Sequence, residues 1–243
     1  MRDRLLIVKT GSTFPDTLAF YGDFDAWIRK GMGVGDESVA VIDALGDGLL
    51  PPPRLCRGVV IAGSHAMVTD HLPWMKRLAG WIVELVQGSV PLLGICFGHQ
   101  LLAQSMGGEA GYHPRGREIG TVDVDLWPSG ADDELLHTCP AQFSAHVTHA
   151  QTVLRLPEGA VLLAGNTFES RHAFRLGRRA WGVQFHPEFD GRIMESYISN
   201  QATELGLAGL DVSALRAGIR ETPEAARILR GFAQLVFDDR TGP

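Results

Sequence analysis

Short apolar runs rich in valine and isoleucine punctuate the first hundred residues: Arg4–Lys9, Ser38–Asp43, Gly58–Ala62 and Val90–Ile95. Each is bounded by Gly, Pro or Asp and lacks polar alternation, the pattern of strands buried on both faces of a sheet. Between them, Thr17–Arg29 carries Leu18, Tyr21, Phe24, Ala26 and Ile28 at helical spacing, and Trp74–Gln87 carries Leu78, Trp81, Ile82 and Leu85. Strands alternating with helices predict a parallel sheet with right-handed crossovers. From about Ile119 the pattern changes. Thr121–Leu126 alternates polar and apolar, and Phe143–Val147, Val153–Leu156, Val161–Ala164, Ser170–Leu176 and Ala180–Phe185 follow at short intervals. These predict a mixed or antiparallel extension of the sheet. Past Glu188 the periodicity is helical again, best at Ile193–Glu204 and Pro223–Val236. With no repeat, linker or low-complexity tract, the expectation is one α/β domain over residues 1–243. Its core lies at about 5–189 and a helical C-terminal extension at 190–243.

Composition removes several classes. The chain is 45% hydrophobic and 21% charged over 243 residues, enough for a sizeable core on a soluble protein. A net charge of -6 offers no global basic field, so neither nucleic acid nor an anionic membrane surface is an expected partner. The N-terminal Met1–Val8 lacks the apolar stretch and small-residue cleavage site of a signal peptide. The longest apolar stretch, Trp81–Gly98, is broken by Glu84, Gln87 and Pro91, which excludes a membrane span there. Three cysteines, Cys56, Cys96 and Cys139, form no evident pairs. An odd, unpaired set predicts a reducing, cytoplasmic setting in which one thiol can serve as a nucleophile.

Gly94-Ile95-Cys96-Phe97-Gly98 joins the strand pattern to a helical run beginning at His99. This is the glycine-framed elbow that presents a nucleophile on a tight strand-to-helix turn, with cysteine where others carry serine. Side chains on the flanks of such a turn clash, and glycine avoids the clash. The helix N-terminus behind Cys96 favours thiolate, and the Phe97 amide points where an oxyanion forms. Farther along, Gln184-Phe185-His186-Pro187-Glu188 ends the last strand pattern. Residues i and i+2 of an extended segment share a face, so Glu188 reaches one ring nitrogen of His186 while the other faces a nucleophile. Pro187 biases His186 toward the extended conformation that this needs. A thiolate, a histidine to shuttle the proton and a carboxylate to orient it are the set acyl transfer requires.

Together, Gly94-Ile95-Cys96-Phe97-Gly98-His99-Gln100 and Gln184-Phe185-His186-Pro187-Glu188 resemble the class I, triad-type glutamine amidotransferases. The resemblance covers about Leu5 to Phe189 and is nearest to stand-alone relatives of the glutaminase domain of GMP synthase. It implies a flavodoxin-like α/β fold with a mostly parallel central sheet, flanking helices and a mixed extension. It further implies that Cys96 attacks the glutamine amide, with His186 as acid/base and Glu188 as its orienter. Gly63 and Phe97 would supply the oxyanion-hole amides. Ser64, Gln100, Thr148 and His149 match segments that contact the substrate. No cofactor and no metal are implied. Two departures stand out. The oxyanion loop reads Gly63-Ser64-His65-Ala66-Met67 in place of Gly-Gly-Pro or Gly-Ser-Pro, and Ala150-Gln151 follow His149 where the family often has Gly-Asp. Both bear on substrate choice.

Three functions follow as expectations. The first is glutamine γ-amide hydrolysis with ammonia passed to a separate synthetase subunit, since no Ser-Gly-Gly-x-Asp-Ser loop stands in this chain. The second is a free-standing γ-glutamyl peptide hydrolase using the same residues, and the third a regulatory or binding protein without turnover. Other features predict structure only. His146 and His149 fall on opposite faces of a strand and make a poor metal pair. Gly31–Gly35 follows a helix, so it reads as a loop and not a dinucleotide fingerprint. Pro51–Pro53 is a rigid connector, Asp43–Gly48 a turn, and Arg171–Arg179 a solvated strand rim.

Overall fold

The computed structural model describes residues 4–46 and 48–238, so Met1–Asp3, Asp47 of the expected turn and residues 239–243 of the extension lie outside the described residues. Strand β1 (Leu5–Lys9) buries Leu5 and Ile7 on one face and Leu6 and Val8 on the other, as an all-apolar run requires. One helix is expected next, yet two form, α1 (Pro15–Tyr21) and α2 (Phe24–Met32). The break has a local cause. Gly22 takes a φ of 83°, and the Asp23 side chain accepts from the Phe24 amide at 2.9 Å to begin a new helix. Helix α2 then continues through Gly31 and Met32, residues expected to be loop, and stops at Gly33 in the left-handed conformation.

Strands β2 (Val39–Asp43) and β3 (Gly58–Ile61), helix α3 (Pro73–Gln87), strand β4 (Leu92–Ile95) and helix α4 (Phe97–Ser105) continue the alternation. Then come β5 (Glu109–Tyr112), β6 (Glu118–Leu126), α5 (Pro128–Ala131), β7 (Gln142–His149), β8 (Gln151–Arg155), β9 (Val161–Gly165), β10 (Ala173–Leu176) and β11 (Ala180–Val183). Nine strands form one sheet in the order β2-β1-β3-β4-β11-β10-β9-β6-β7. The run from β2 to β11 is parallel and the run from β11 to β7 antiparallel. This is the parallel sheet with a mixed extension that the hydrophobic pattern predicts. Strand β5 is the exception. Its Glu109-Ala110-Gly111-Tyr112 carries no run of β-branched residues to be read from sequence, and it pairs with β8 in a separate ribbon. That pairing, Tyr112 opposite Gln151, also explains why β8 starts two residues earlier than expected. Strand β10 starts late because the Glu169 carboxylate accepts from the Arg171 amide at 2.8 Å and holds a turn there.

The C-terminal segment forms α6 (Gly191–Asn200), α7 (Ala202–Leu207), α8 (Val212–Ala217) and α9 (Pro223–Asp238). Asp190 caps α6, accepting from the amides of Arg192 and Ile193 at 3.0 Å. The expected helix Ile193–Glu204 is interrupted at Gln201, whose side-chain amide donates to the Tyr197 carbonyl. Helix α9 buries Ile228, Leu229, Phe232 and Val236 in the same core cluster as α2 and one face of the sheet. A Cβ on Gly31 would stand 2.4 Å from Leu229, so α2 and α9 pack at glycine distance. No helix among the described residues is long and apolar enough to cross a membrane. The extension is thereby part of the core, and Phe232→Ala should lower unfolding free energy by about 3–5 kcal/mol in urea titrations. A loss below about 1 kcal/mol would contradict this packing.

Candidate active site

The expected site residues converge beyond the carboxyl ends of the parallel strands, where open α/β sheets bind ligands. Cys96 sits between β4 and α4 with φ 50° and ψ -97°, a conformation that side chains rarely occupy. Two close approaches hold it there. A Cβ on Gly94 would stand 2.4 Å from the Gly98 carbonyl oxygen, and one on Gly98 would stand 2.5 Å from that of Ile61. A larger residue at 94 pushes β4 and α4 apart, and one at 98 pushes α4 away from β3. The Cys96 amide donates to the Val183 carbonyl at 2.8 Å, which fixes the turn against β11. Phe97 opens α4, so its N–H belongs to the first turn, which has no partner within the helix.

His186 follows β11 and is buried. Its Nδ1 donates to Glu188 Oε1 at 2.8 Å, as the i, i+2 geometry predicts, and its Nε2 closes no hydrogen bond. The ring stacks on Phe189 with centroids 4.2 Å apart, and its own amide donates to the His146 carbonyl. Burial opposes charge on His186, but the Glu188 carboxylate and the Cys96 sulfur outweigh it and raise the pKa of the ring. Burial alone acts on Cys56 and is the main influence on Cys139, and it pushes both thiols up to about 11. Gly63 lies against the same imidazole, since a Cβ there would be 2.9 Å from His186 Cε1. The Thr10 hydroxyl lies 3.2 Å from the Ala62 carbonyl and 2.8 Å from that of Gly63, which fixes the peptide planes on both sides of Gly63.

A cavity of about 250 Å³ opens beside Cys96 and His186, small beside the roughly 300–1,000 Å³ of drug-sized sites. Phe97 and the expected contacts Ser64, Gln100, Thr148 and His149 all border it. Their free groups differ. Gln100 commits its amide nitrogen to the Gln151 carbonyl and to Gln184 Oε1. The Ser64 hydroxyl donates to the Thr10 carbonyl and accepts from the Ala66 amide. His149 Nδ1 faces the Gln151 carbonyl at 2.9 Å, and its Nε2 faces Glu118 Oε2 at 3.0 Å. Gln151, one of the departures, borders the cavity but ties down the neighbouring loop through Val68 and Thr69. His65, another departure, packs on Phe14 and Tyr197.

Sequence reading missed the far wall. Tyr197, Asn200, Gln201 and Glu204 come from α6, α7 and their junction, and Arg117 from just before β6. Tyr197 reads as one more apolar position of an amphipathic helix, and no local signal marks Arg117.

Residues 55–205 match the family model described as glutamine amidotransferase class-I, which is more than half of the chain. The chain is 38% identical to the glutamine-hydrolyzing GMP synthase of Aeropyrum pernix over 159 residues. That match covers 65% of this chain and only 28% of the synthase, so the chain corresponds to under a third of that relative. It is 28% identical to gamma-glutamyl peptidase 3 of Arabidopsis thaliana, over 71% of this chain and 70% of the peptidase. Among solved structures, a glutamine amido transferase from Methylobacillus flagellatus superposes with a TM-score of 0.77 at 25% identity, covering 100% of this chain and 98% of the other.

Three buried histidines surround this machinery. Burial pushes His99 and His172 down to about 3, and burial together with the charge on His186 pushes His146 down to about 4. Each is neutral in the folded chain near pH 6, whereas an unfolded histidine takes up a proton near pH 6.5. At these three sites the unfolded state therefore binds more protons, and their contribution to stability is full above about pH 6.5 and falls with pH toward the folded values. Urea midpoints should drop steadily between pH 6.5 and 4, as the unfolding free energy falls by up to about 1.4 kcal/mol per pH unit for each histidine. His99→Gln should flatten the slope. A midpoint constant over that range would contradict the assignment.

Proposed function

Since the chain belongs to the class-I glutamine amidotransferase family, we propose that it hydrolyses the γ-amide bond of glutamine and of γ-glutamyl amides through a thioester on Cys96. The observation that carries this reading is the strained Cys96 turn facing a buried His186 whose Nδ1 is bonded to Glu188 at 2.8 Å. The Cys96 sulfur adds to the amide carbon, and the carbonyl oxygen becomes an oxyanion held by the Gly63 and Phe97 amides. The C–N bond then breaks as His186 gives its proton to the departing amine. Next His186 takes a proton from water, which adds to the thioester, and the C–S bond breaks to release glutamate and restore Cys96. Glu188 keeps the ring oriented and stabilises its cationic form without being the base. The triad-like set supports turnover over a regulatory role without chemistry.

The chain acts alone in this reading, on glutamine or a γ-glutamyl peptide. Similarity to GMP synthase favours a second reading, in which ammonia passes to a synthetase on another chain. Assay of the isolated chain on glutamine and a set of γ-glutamyl dipeptides separates the two. Independent action predicts a kcat/KM of about 10⁴ M⁻¹s⁻¹ or more on at least one substrate. Values orders of magnitude lower that a co-purifying synthetase restores would favour the second. In either case Cys96→Ala and His186→Ala should fall to near background, because the residues act as a unit. Glu188→Gln, which keeps shape and loses charge, should lose less. The assigned roles fail if His186→Ala stays active while Glu188→Gln is as inactive as Cys96→Ala.

A further inference from the structure

Arg117 is the one arginine or lysine among the described residues bordering the cavity at Cys96, and Glu204 the one carboxylate. Residue 118 pairs with His149 across β6 and β7, so Arg117 stands beside the Thr148–Ala150 segment. One terminal nitrogen of its guanidinium donates to Gln201 Oε1 at 3.0 Å, and the other lies 3.3 Å from Glu204 Oε1. Of five guanidinium donors, these contacts engage two. The Arg117 side chain is 23% exposed, whereas that of Glu204 is 68% exposed. Glu204 is therefore a solvated, weakly held partner, the kind of surface ion pair that contributes little. An anion entering the cavity can displace it.

A γ-glutamyl substrate brings such an anion. The glutamyl unit has an α-carboxylate, and a γ-glutamyl peptide has a second carboxylate on its leaving group. Drawing either out of water without a cationic partner is costly. Gln100 has committed its amide nitrogen, and His149 faces a carbonyl and a carboxylate of the protein. His186 also favours the charged form but serves the reacting bond, so Arg117 is the cation left for a carboxylate, and its planar fork matches one in two-pronged fashion.

We propose that Arg117 is the carboxylate anchor of this site, with Glu204 as an internal competitor that the substrate displaces. Arg117 is then a specificity-determining residue, and the C-terminal helices regulate its availability. The proposal rests on the reading that this cavity receives γ-glutamyl compounds. Its test is made by binding, so that it does not depend on turnover.

Titration calorimetry of Cys96→Ala with γ-glutamyl-alanine is compared with two neutralised ligands: the same dipeptide amidated at the alanine carboxylate, and the same dipeptide amidated at the glutamyl α-carboxylate. One amidated form should bind about 10- to 100-fold more weakly than the parent, the range for loss of a charge-assisted hydrogen bond, and which one identifies the carboxylate read by Arg117. Adding Arg117→Met should weaken the parent by a similar factor and erase that discrimination. Adding Glu204→Gln should tighten the parent severalfold, an outcome that a purely structural Arg117–Glu204 strut does not produce. The anchor is overturned if all three ligands bind Cys96→Ala alike or none binds. It is also overturned if Arg117→Met weakens the three equally, or if Glu204→Gln weakens the parent. Loss of the hydrolytic reading looks different: carboxylate-dependent binding would persist while the unmutated chain released no product from any γ-glutamyl ligand.

Discussion

A non-glycine residue held at φ 50° and ψ -97° costs of the order of 1–3 kcal/mol, and Cys96 occupies that conformation between a buried strand and a buried helix. The rest of the structure over-determines it. Strand β4 is fixed on both sides by parallel neighbours, β3 and β11, and α4 lies so close behind that Gly94 and Gly98 cannot carry side chains. Such a turn persists only because the surrounding core is stable enough to hold it. The same β11 that anchors the Cys96 amide continues into His186, so one pair of adjacent strands delivers sulfur and imidazole to the same place. Their relative position follows from sheet register and does not depend on a flexible loop.

Electrostatics then divides four buried imidazoles into two kinds. His186 has a carboxylate at 2.8 Å and a sulfur nearby, and together they overcome burial. His99, His146 and His172 lie in the same interior, and burial keeps them neutral. His172 has Glu118 within 3.4 Å, yet that proximity does not offset its burial. Of these four imidazoles, the one beside Cys96 alone favours the charged form. The aromatic packing of Phe189 and Phe24 against His186 restrains its ring from leaving that position.

Much of this is legible in sequence where the cause is local. The elbow depends on residues within two positions of Cys96, and the His186–Glu188 bond on an i, i+2 relation made rigid by Pro187. Alternating apolar runs likewise announce the parallel sheet, because burial on both faces leaves no room for polar alternation. Elements decided by distant partners are not legible. Strand β5 exists because β8, some forty residues on, pairs with it. The far wall of the cavity is the largest omission. Arg117 meets Gln201 and Glu204 only after α6 and α7 bring those residues back beside the start of β6, and nothing near Arg117 in the chain marks that encounter.

The measurement that bears most directly on Cys96 as the acylated nucleophile is peptide mass mapping after treatment with the glutamine analogue 6-diazo-5-oxo-norleucine. Burial leaves Cys56 and Cys139 as thiols with pKa about 11, whereas Cys96 stands beside the His186–Glu188 pair. The account predicts one covalent adduct, on the peptide carrying Cys96, and none after His186→Ala. An adduct on Cys56 or Cys139 with Cys96 unmodified would contradict it.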